Sequence, residues 1–306
     1  MLPKSLIPGR RFVIGVPYTW LILFFLLPFL ILLYISFVDM RGSINPFKPI
    51  WDVETGTLIL RYENYLSIFR TEEGAPLFRT IYVDAYLRSI WYALATAVLC
   101  LVIGYPFAYF IARSPASIRP ALLLMVMLPF WTSFLLRVYA WKGLLSDNGV
   151  INRFMVFIGL TDAPIRMLYT DISMLVGMTY VYLPFMILPL YANLVKMDFR
   201  LLEAAYDLGA TPLRAFWLVT VPLSKSGIIA GFMLVFIPCV GEFVIPSLLG
   251  GPGTTMIGRV VWDEMFTGNN WPRATALAVV MIGLIVVPLA LYYHYTGERA
   301  EPKARK

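Results

Sequence analysis

The sequence predicts an all-α polytopic membrane protein with six transmembrane helices, and three observations predict it. The 306 residues are 59% apolar and only 14% charged, whereas a soluble domain carries roughly 25% charged residues. Mean hydropathy is +0.75. Six stretches are apolar over a length that crosses a bilayer, and basic residues collect in alternate short loops between them. A soluble chain of this length would form about two domains; at about 20 residues per span, it is expected instead as one membrane domain over 1–306.

The spans are expected at about 12–38, 88–112, 120–141, 172–195, 226–246 and 274–295. Each is long enough for a hydrocarbon core of about 30 Å at 1.5 Å per residue. Hydrocarbon offers the backbone no hydrogen bonds, so each must be a helix. Pro129, Pro184, Pro189 and Pro238 fall inside three of them. Interior prolines kink helices and free carbonyls, which is tolerated where helices line a cavity. The first span follows a basic start (Lys4, Arg10, Arg11) but exceeds a signal-peptide core and has no A-x-A site after it. It is expected to be a retained signal-anchor helix.

Lys and Arg set the orientation. The start, the turn at 113–119, the loop at 196–225 and the tail (Arg299, Lys303, Arg305, Lys306) hold thirteen of them. The opposite loops at 39–87, 143–171 and 247–273 are longer and hold nine. The short basic loops belong inside, which makes both termini cytoplasmic. The +7 net charge follows from this bias and needs no nucleic acid to explain it. The long loop 39–87 carries seven acidic residues among scattered turn and aromatic residues such as Pro46, Phe47, Pro49 and Trp51. Loops of that length are uncommon unless functional or separately folded.

Several chemistries are excluded or weakened. Cys100 and Cys239 sit in apolar runs without CxxC spacing and are expected to be small core residues. A single histidine, His294, rules out a His-rich metal site. The glycine-rich Gly250–Gly253 stretch lacks the lysine of a phosphate loop. A membrane-embedded enzyme would need clustered His, Asp or Glu, and a secondary transporter usually shows internal repeats and midplane ionisable residues; the sequence shows neither.

The segment Asp198–Pro222 spells helix–turn–helix. Asp198 can cap a first helix with Leu201, Leu202, Ala205 and Leu208 as its apolar face. Gly209 stands where a helix ends in a positive-φ residue. Thr211 then caps a second helix with Pro212 in its first position. Such a pair either packs on its own bundle or docks a partner. Gly227 and Gly231 form a GxxxG pair, which predicts close packing against a partner chain or a neighbouring span.

The string Glu203-Ala204-Ala205, then Gly209, then Val219-x-Val221-Pro222 resembles the EAA motif of ABC-importer permeases, with valines for the usual Ile and Leu at its end. Segments Leu128–Trp141, Gly177–Tyr191 and Val240–Gly251 resemble the polyamine permeases, most closely those of putrescine importers, and the likeness runs from about Phe12 to Tyr292. It implies a type I importer in the bacterial inner membrane. Two different permeases, two ATPase copies and a periplasmic polyamine-binding protein make up that assembly, with ATP and Mg on the ATPases and no cofactor or catalytic residue on this chain. It further implies that Glu203 meets polar groups of the ATPase, that Ala204 and Ala205 permit close approach, that Gly209 makes the bend, and that Pro222 closes the motif. A permease for another small solute, or a stand-alone secondary transporter, is the alternative.

A polyamine is a flexible cation that calls for carboxylates and aromatic faces. Glu242 is the acid expected within a span, and intramembrane acids are functional candidates by default. Arg137 and Glu242 are equally far from the inner ends of spans three and five, roughly 25 Å up at 1.5 Å per residue, so they can instead form a structural ion pair. Asp84, expected in the loop before span two, is a candidate for the outer mouth or a solvated carboxylate. Trp131, Tyr139, Trp141, Tyr180 and Tyr182 can line a route or belong to an interfacial aromatic belt.

Overall fold

The computed structural model describes residues 10–40, 47, 50–52, 57–58, 60–70 and 80–297. Its contacts fall into two units, Met1–Val83 with Val260–Lys306, and Asp84–Arg259. The domain expected over 1–306 is therefore described unit by unit. Lys4, Pro46, Pro49, Arg299, Lys303, Arg305 and Lys306 lie outside the described residues.

In the first unit, α1 (Arg10–Leu21) passes through a π turn (Ile22–Leu26) into α2 (Leu27–Ser36). Pro28 has no N–H to give, and its ring crowds the carbonyl one turn back; the wider turn just before it relieves both. Phe12–Ser36 is long and apolar enough to cross a membrane, and only 6% of its apolar window is buried, which leaves its sides to lipid.

The expected loop 39–87 contains structure of its own. β1 (Trp51–Asp52) pairs antiparallel with β2 (Thr57–Leu58), Trp51 opposite Leu58. This two-residue ribbon is a local feature of a chain that is otherwise helical among the described residues, as the sequence predicts. α3 (Glu63–Phe69) follows and finishes α2. Asn64 Nδ2 donates to the Ser36 and Val38 carbonyls at 2.9 Å each, and the Tyr65 hydroxyl lies 2.6 Å from Ser36 Oγ. The open carbonyls at the end of α2 are thereby satisfied.

The second unit holds α4 (Ile81–Arg113, from Asp84 onward), α5 (Arg119–Met127) with a 3₁₀ turn (Leu128–Trp131), α6 (Phe134–Leu144), α7 (Val150–Phe157) and α8 (Asp171–Leu194). Next come α9 (Arg200–Asp207), α10 (Pro212–Ala215), a π turn (Phe216–Thr220), α11 (Val221–Leu223), α12 (Lys225–Val240) and α13 (Val244–Leu249). α14 (Ile257–Trp262) leads out of this unit through a π turn (Asp263–Thr267), and α15 (Trp271–Gly297) packs on α2 and α3 in the first.

Three expectations about the spans are corrected. Span two starts at Ile81, so Asp84 lies in the first turn of α4 and not in a loop. Span three is two helices: Arg119–Trp131 and Phe134–Leu144 meet at 88°. Pro129 tightens the chain into the 3₁₀ turn, and Thr132 and Ser133 are extended, with ψ 150° and 138°. Span five stops at Val240, and Gly241–Phe243 separates it from α13. By length and composition three described helices can cross a membrane, Phe12–Ser36, Ile81–Arg113 and Asp171–Leu194, or up to five if each bent pair is one span. Trp271–Val286 is apolar but shorter.

Small residues set the packing of the second unit. A Cβ on Gly227 would lie 2.7 Å from Asn193 Cβ, and one on Gly231 2.7 Å from Met186 Sδ. The GxxxG pair therefore seats α12 on its neighbour α8, backbone against backbone. Along α4, Ala93, Ala97, Cys100 and Ala108 are completely buried. Cys100 and Cys239 are buried free thiols, as expected of small core residues. Gly227→Val should force α8 and α12 apart and destabilise the chain by about 1–3 kcal/mol. Gly143→Ala, which meets nothing within 4 Å, should not. Thermal unfolding in detergent checks this, and equal midpoints for the two variants would refute the contact's role.

Candidate functional site

The loop from Asp198 to Pro222 is built by local chemistry. Asp198 Oδ1 accepts the Arg200 N–H at 3.1 Å, and the Arg200 guanidinium closes on both carboxylate oxygens at 2.6–3.0 Å. The hydrogen bonds from Arg200 hold the Asp198 carboxyl below its ordinary pKa, so this start of the loop is intact at neutral pH and loosens only as pH falls through that lowered value. Gly209, two residues past the end of α9, turns the chain at φ 83°. The Ala210 N–H reaches the Ala205 carbonyl at 3.0 Å, and the Gly209 N–H reaches that of Tyr206 at 2.8 Å. This pair of bonds is the Schellman closure. Thr211 Oγ1 then accepts the Arg214 N–H at 3.4 Å, with Pro212 opening α10.

One side of this loop packs inward. Leu202 and Ala215 are buried, and the Phe216 ring stands edge-on to Tyr105 at 5.4 Å and to Tyr109 at 6.4 Å. The Tyr105 hydroxyl lies 2.7 Å from Ser224 Oγ, where the chain bends by 68° into α12. The other side is open: Leu201, Glu203, Ala204, Leu208, Leu213, Trp217, Leu218 and Pro222 are all exposed. Of the expected apolar face, only Leu202 is buried, and Ala205 is half-buried. A large apolar surface around an exposed Glu203 is unusual outside an interface.

The second constellation lies at the other end of α12. Glu242 is 9% exposed and sits in the break before α13. Its Oε1 accepts the N–H groups of Phe243 (3.1 Å), Val244 (3.0 Å) and Ile245 (3.4 Å), and its Oε2 accepts the Tyr182 hydroxyl at 2.6 Å. The carboxylate thus satisfies the N–H groups that the break leaves open. Beyond Tyr182 runs an aromatic chain: Phe185 at 6.1 Å, then Phe130 at 5.1 Å from Phe185. The Arg137 guanidinium lies over Phe130 at 5.2 Å and over Phe134 at 5.9 Å.

The expected Arg137–Glu242 ion pair does not form. Equal depth rested on two straight helices, and the 88° bend in one and the break in the other remove that premise. Tyr182 is the expected aromatic that meets Glu242. Trp141 pairs edge-on with Tyr180 at 5.5 Å, whereas Trp131 and Tyr139 are 78% and 54% exposed. Asp84 is half-buried on α4. The sequence reading missed Phe130 and Phe185. Both close a Leu-Pro-Phe triplet, at Leu128–Phe130 and Leu183–Phe185, but so does Phe29 at Leu27–Phe29, and the triplet alone did not single them out.

The chain is similar to known proteins over most of its length. The profile described as "Binding-protein-dependent transport system inner membrane component" matches residues 104–305. The spermidine/putrescine transport system permease protein PotB of Haemophilus influenzae is 37% identical over 93% of this chain and 93% of its own. PotB of Escherichia coli K12 is 36% identical over 92% and 94%. The fold matches a chain of a bacterial ABC transporter involved in import of the acidic polysaccharide alginate, with a TM-score of 0.61 at 18% identity over 96% and 97% of the two chains. A second structure of such a transporter, in complex with alginate pentasaccharide-bound periplasmic protein, matches at 0.62 and 17% over 95% and 96%.

Tyr182→Phe removes one charge-assisted donor from Glu242 and should lower stability by about 1.5–3 kcal/mol. Glu242→Ala, which strands the open N–H groups as well, should cost more. Unfolding midpoints in detergent rank the two variants, and the reverse order would contradict the capping role.

Proposed function

Because the chain belongs to the inner-membrane components of binding-protein-dependent transport systems, we propose that it is one of two permeases of an ATP-driven polyamine importer, with putrescine the foremost substrate and spermidine next. One observation carries the substrate class: identity to permeases named for spermidine and putrescine runs the length of both chains. The buried carboxylate beside an aromatic chain supports it, since ammonium groups are held by carboxylates and ring faces. In this reading Glu242, Tyr182 and the rings of Phe185 and Phe130 serve the path. Asp84 stands near its mouth, and Trp131, Tyr139 and Trp141 are further candidates for its walls.

The chain crosses the inner membrane six times in this reading, with both termini cytoplasmic and the basic loop 196–225 inside. Glu203, Ala204, Ala205, Gly209 and Pro222 form the surface that docks on an ATPase. Hydrolysis belongs to two ATPase copies that carry ATP and Mg, and a periplasmic binding protein delivers the polyamine. The chain itself moves no proton and breaks no bond. Its loop follows the ATPases as they close, Phe216 and Ser224 pass the displacement to α4 and α12, and the path turns from one side of the membrane to the other.

Labelled putrescine uptake in cells lacking the gene, and in the same cells with it restored, tests the proposal, with unlabelled spermidine as competitor. Uptake should return with the gene, and the strength of competition ranks the amines; no return assigns the permease to another solute. Glu242→Gln should lower uptake while the complex still assembles. Gly209→Val should uncouple ATP hydrolysis from transport, because a β-branched residue resists φ 83°. Gly209→Asn, which tolerates that region, should retain most coupling. Glu203→Ala should weaken co-purification of the ATPase, and normal recovery would remove Glu203 from the docking surface.

A further inference from the structure

With the residue on either side of it, α3 presents three distinct faces. On a helix, positions four and seven apart share a side. Asn64, Tyr65 and Ile68 turn inward: Asn64 and Tyr65 close the end of α2, and Ile68 is buried. Glu63, Ser67 and Arg70 line a polar cavity of about 440 Å³. Tyr62, Leu66 and Phe69 make the third face, each about half exposed. A short helix with an apolar side next to a charged one, braced on its third side, suits the boundary between headgroups and acyl chains.

The cavity belongs wholly to the first unit. Asp39, just past α2, and Asn270 and Arg273, at the start of α15, complete its lining. α2 ends a stretch apolar enough to cross a membrane, and α15 packs on it, so the cavity lies where the membrane surface begins. Its charges are mixed. Asp39 is paired with Arg61 at 3.6 Å. Arg273 uses Nη1 to reach both the Tyr82 hydroxyl, at 3.4 Å, and Glu264, at 4.0 Å, which leaves Nη2 for a ligand. Glu63 and Arg70 bring opposite charges to the cavity from one side of α3. The arginines disfavour a polyamine, and the acids disfavour a ligand that is only anionic. We propose that this cavity seats the headgroup of a zwitterionic phospholipid, phosphatidylethanolamine. Its phosphate meets Arg70 and Arg273, its ammonium meets Glu63, and its acyl chains leave along Tyr62, Leu66 and Phe69. The proposal needs only that the chain spans a membrane and is independent of what the permease carries.

The test uses the full chain, purified from membranes in mild detergent with the subunits that accompany it, and measures retained lipid by mass spectrometry. Phosphatidylethanolamine should stay bound through washes that remove other lipids. Glu63→Gln and Arg70→Gln should each weaken its retention about tenfold, because each removes one charge-assisted contact. Glu63→Lys should pass the preference to phosphatidylglycerol, whose headgroup has no ammonium. No retained phosphatidylethanolamine, equal retention in both glutamine variants, or a wild-type preference for phosphatidylglycerol would overturn the proposal. Displacement of the lipid by added putrescine would also overturn it, by assigning the cavity to the substrate. If the variants do not fold, the delipidated wild-type protein still decides. Its unfolding midpoint should rise more with phosphatidylethanolamine than with phosphatidylglycerol or phosphatidylcholine, and equal rises would refute a site selective for this headgroup.

Discussion

A backbone that breaks where packing excludes water must find its hydrogen bonds within the protein, and the break between α12 and α13 finds them in one carboxylate. Glu242 engages the N–H groups of the three residues that follow it, while its own N–H closes the last turn of α12 on the Cys239 carbonyl at 3.2 Å. Gly258, at the start of α14, approaches so closely that a side chain there would meet the Gly241 and Glu242 carbonyls. α13 in turn packs against α6 and α8. Remove the carboxylate and each of these arrangements loses its fixed point.

α12 connects this break to the loop of Asp198–Pro222. Its 16 residues span about 24 Å at 1.5 Å per residue, with Ser224 held by Tyr105 at one end and Glu242 held by Tyr182 at the other. The glycines at 227 and 231 bring it to α8 without intervening side chains. The loop and the buried acid are therefore joined by one helix braced along its flank.

What the sequence disclosed follows from the range of the interactions involved. The turn at Gly209 and the Thr211–Pro212 start depend on residues a few positions apart, so spacing alone exposes them. The apolar spans are legible because bilayer thickness is a count of residues. Counting fails where the chain bends: 88° at Thr132–Ser133 leaves the composition unchanged but invalidates any depth measured along the chain. Equal depth of Arg137 and Glu242 was an inference of that kind. The true partner of Glu242, Tyr182, lies 60 residues away, and no local pattern ties the two together. Its ring also had a sufficient explanation in the aromatic belt, which is why the contact could not be singled out beforehand.

The glycine contact between α8 and α12 has a consequence for electrical tightness. An energised membrane drives protons and small cations through any continuous file of water. Such a file needs gaps of about one water volume lined with polar partners. Between Gly231 and Met186 the backbone and thioether leave no such gap. In the arrangement described, this seam can serve as an insulating wall, which leaves the ion barrier to be made and broken along other faces of the permease.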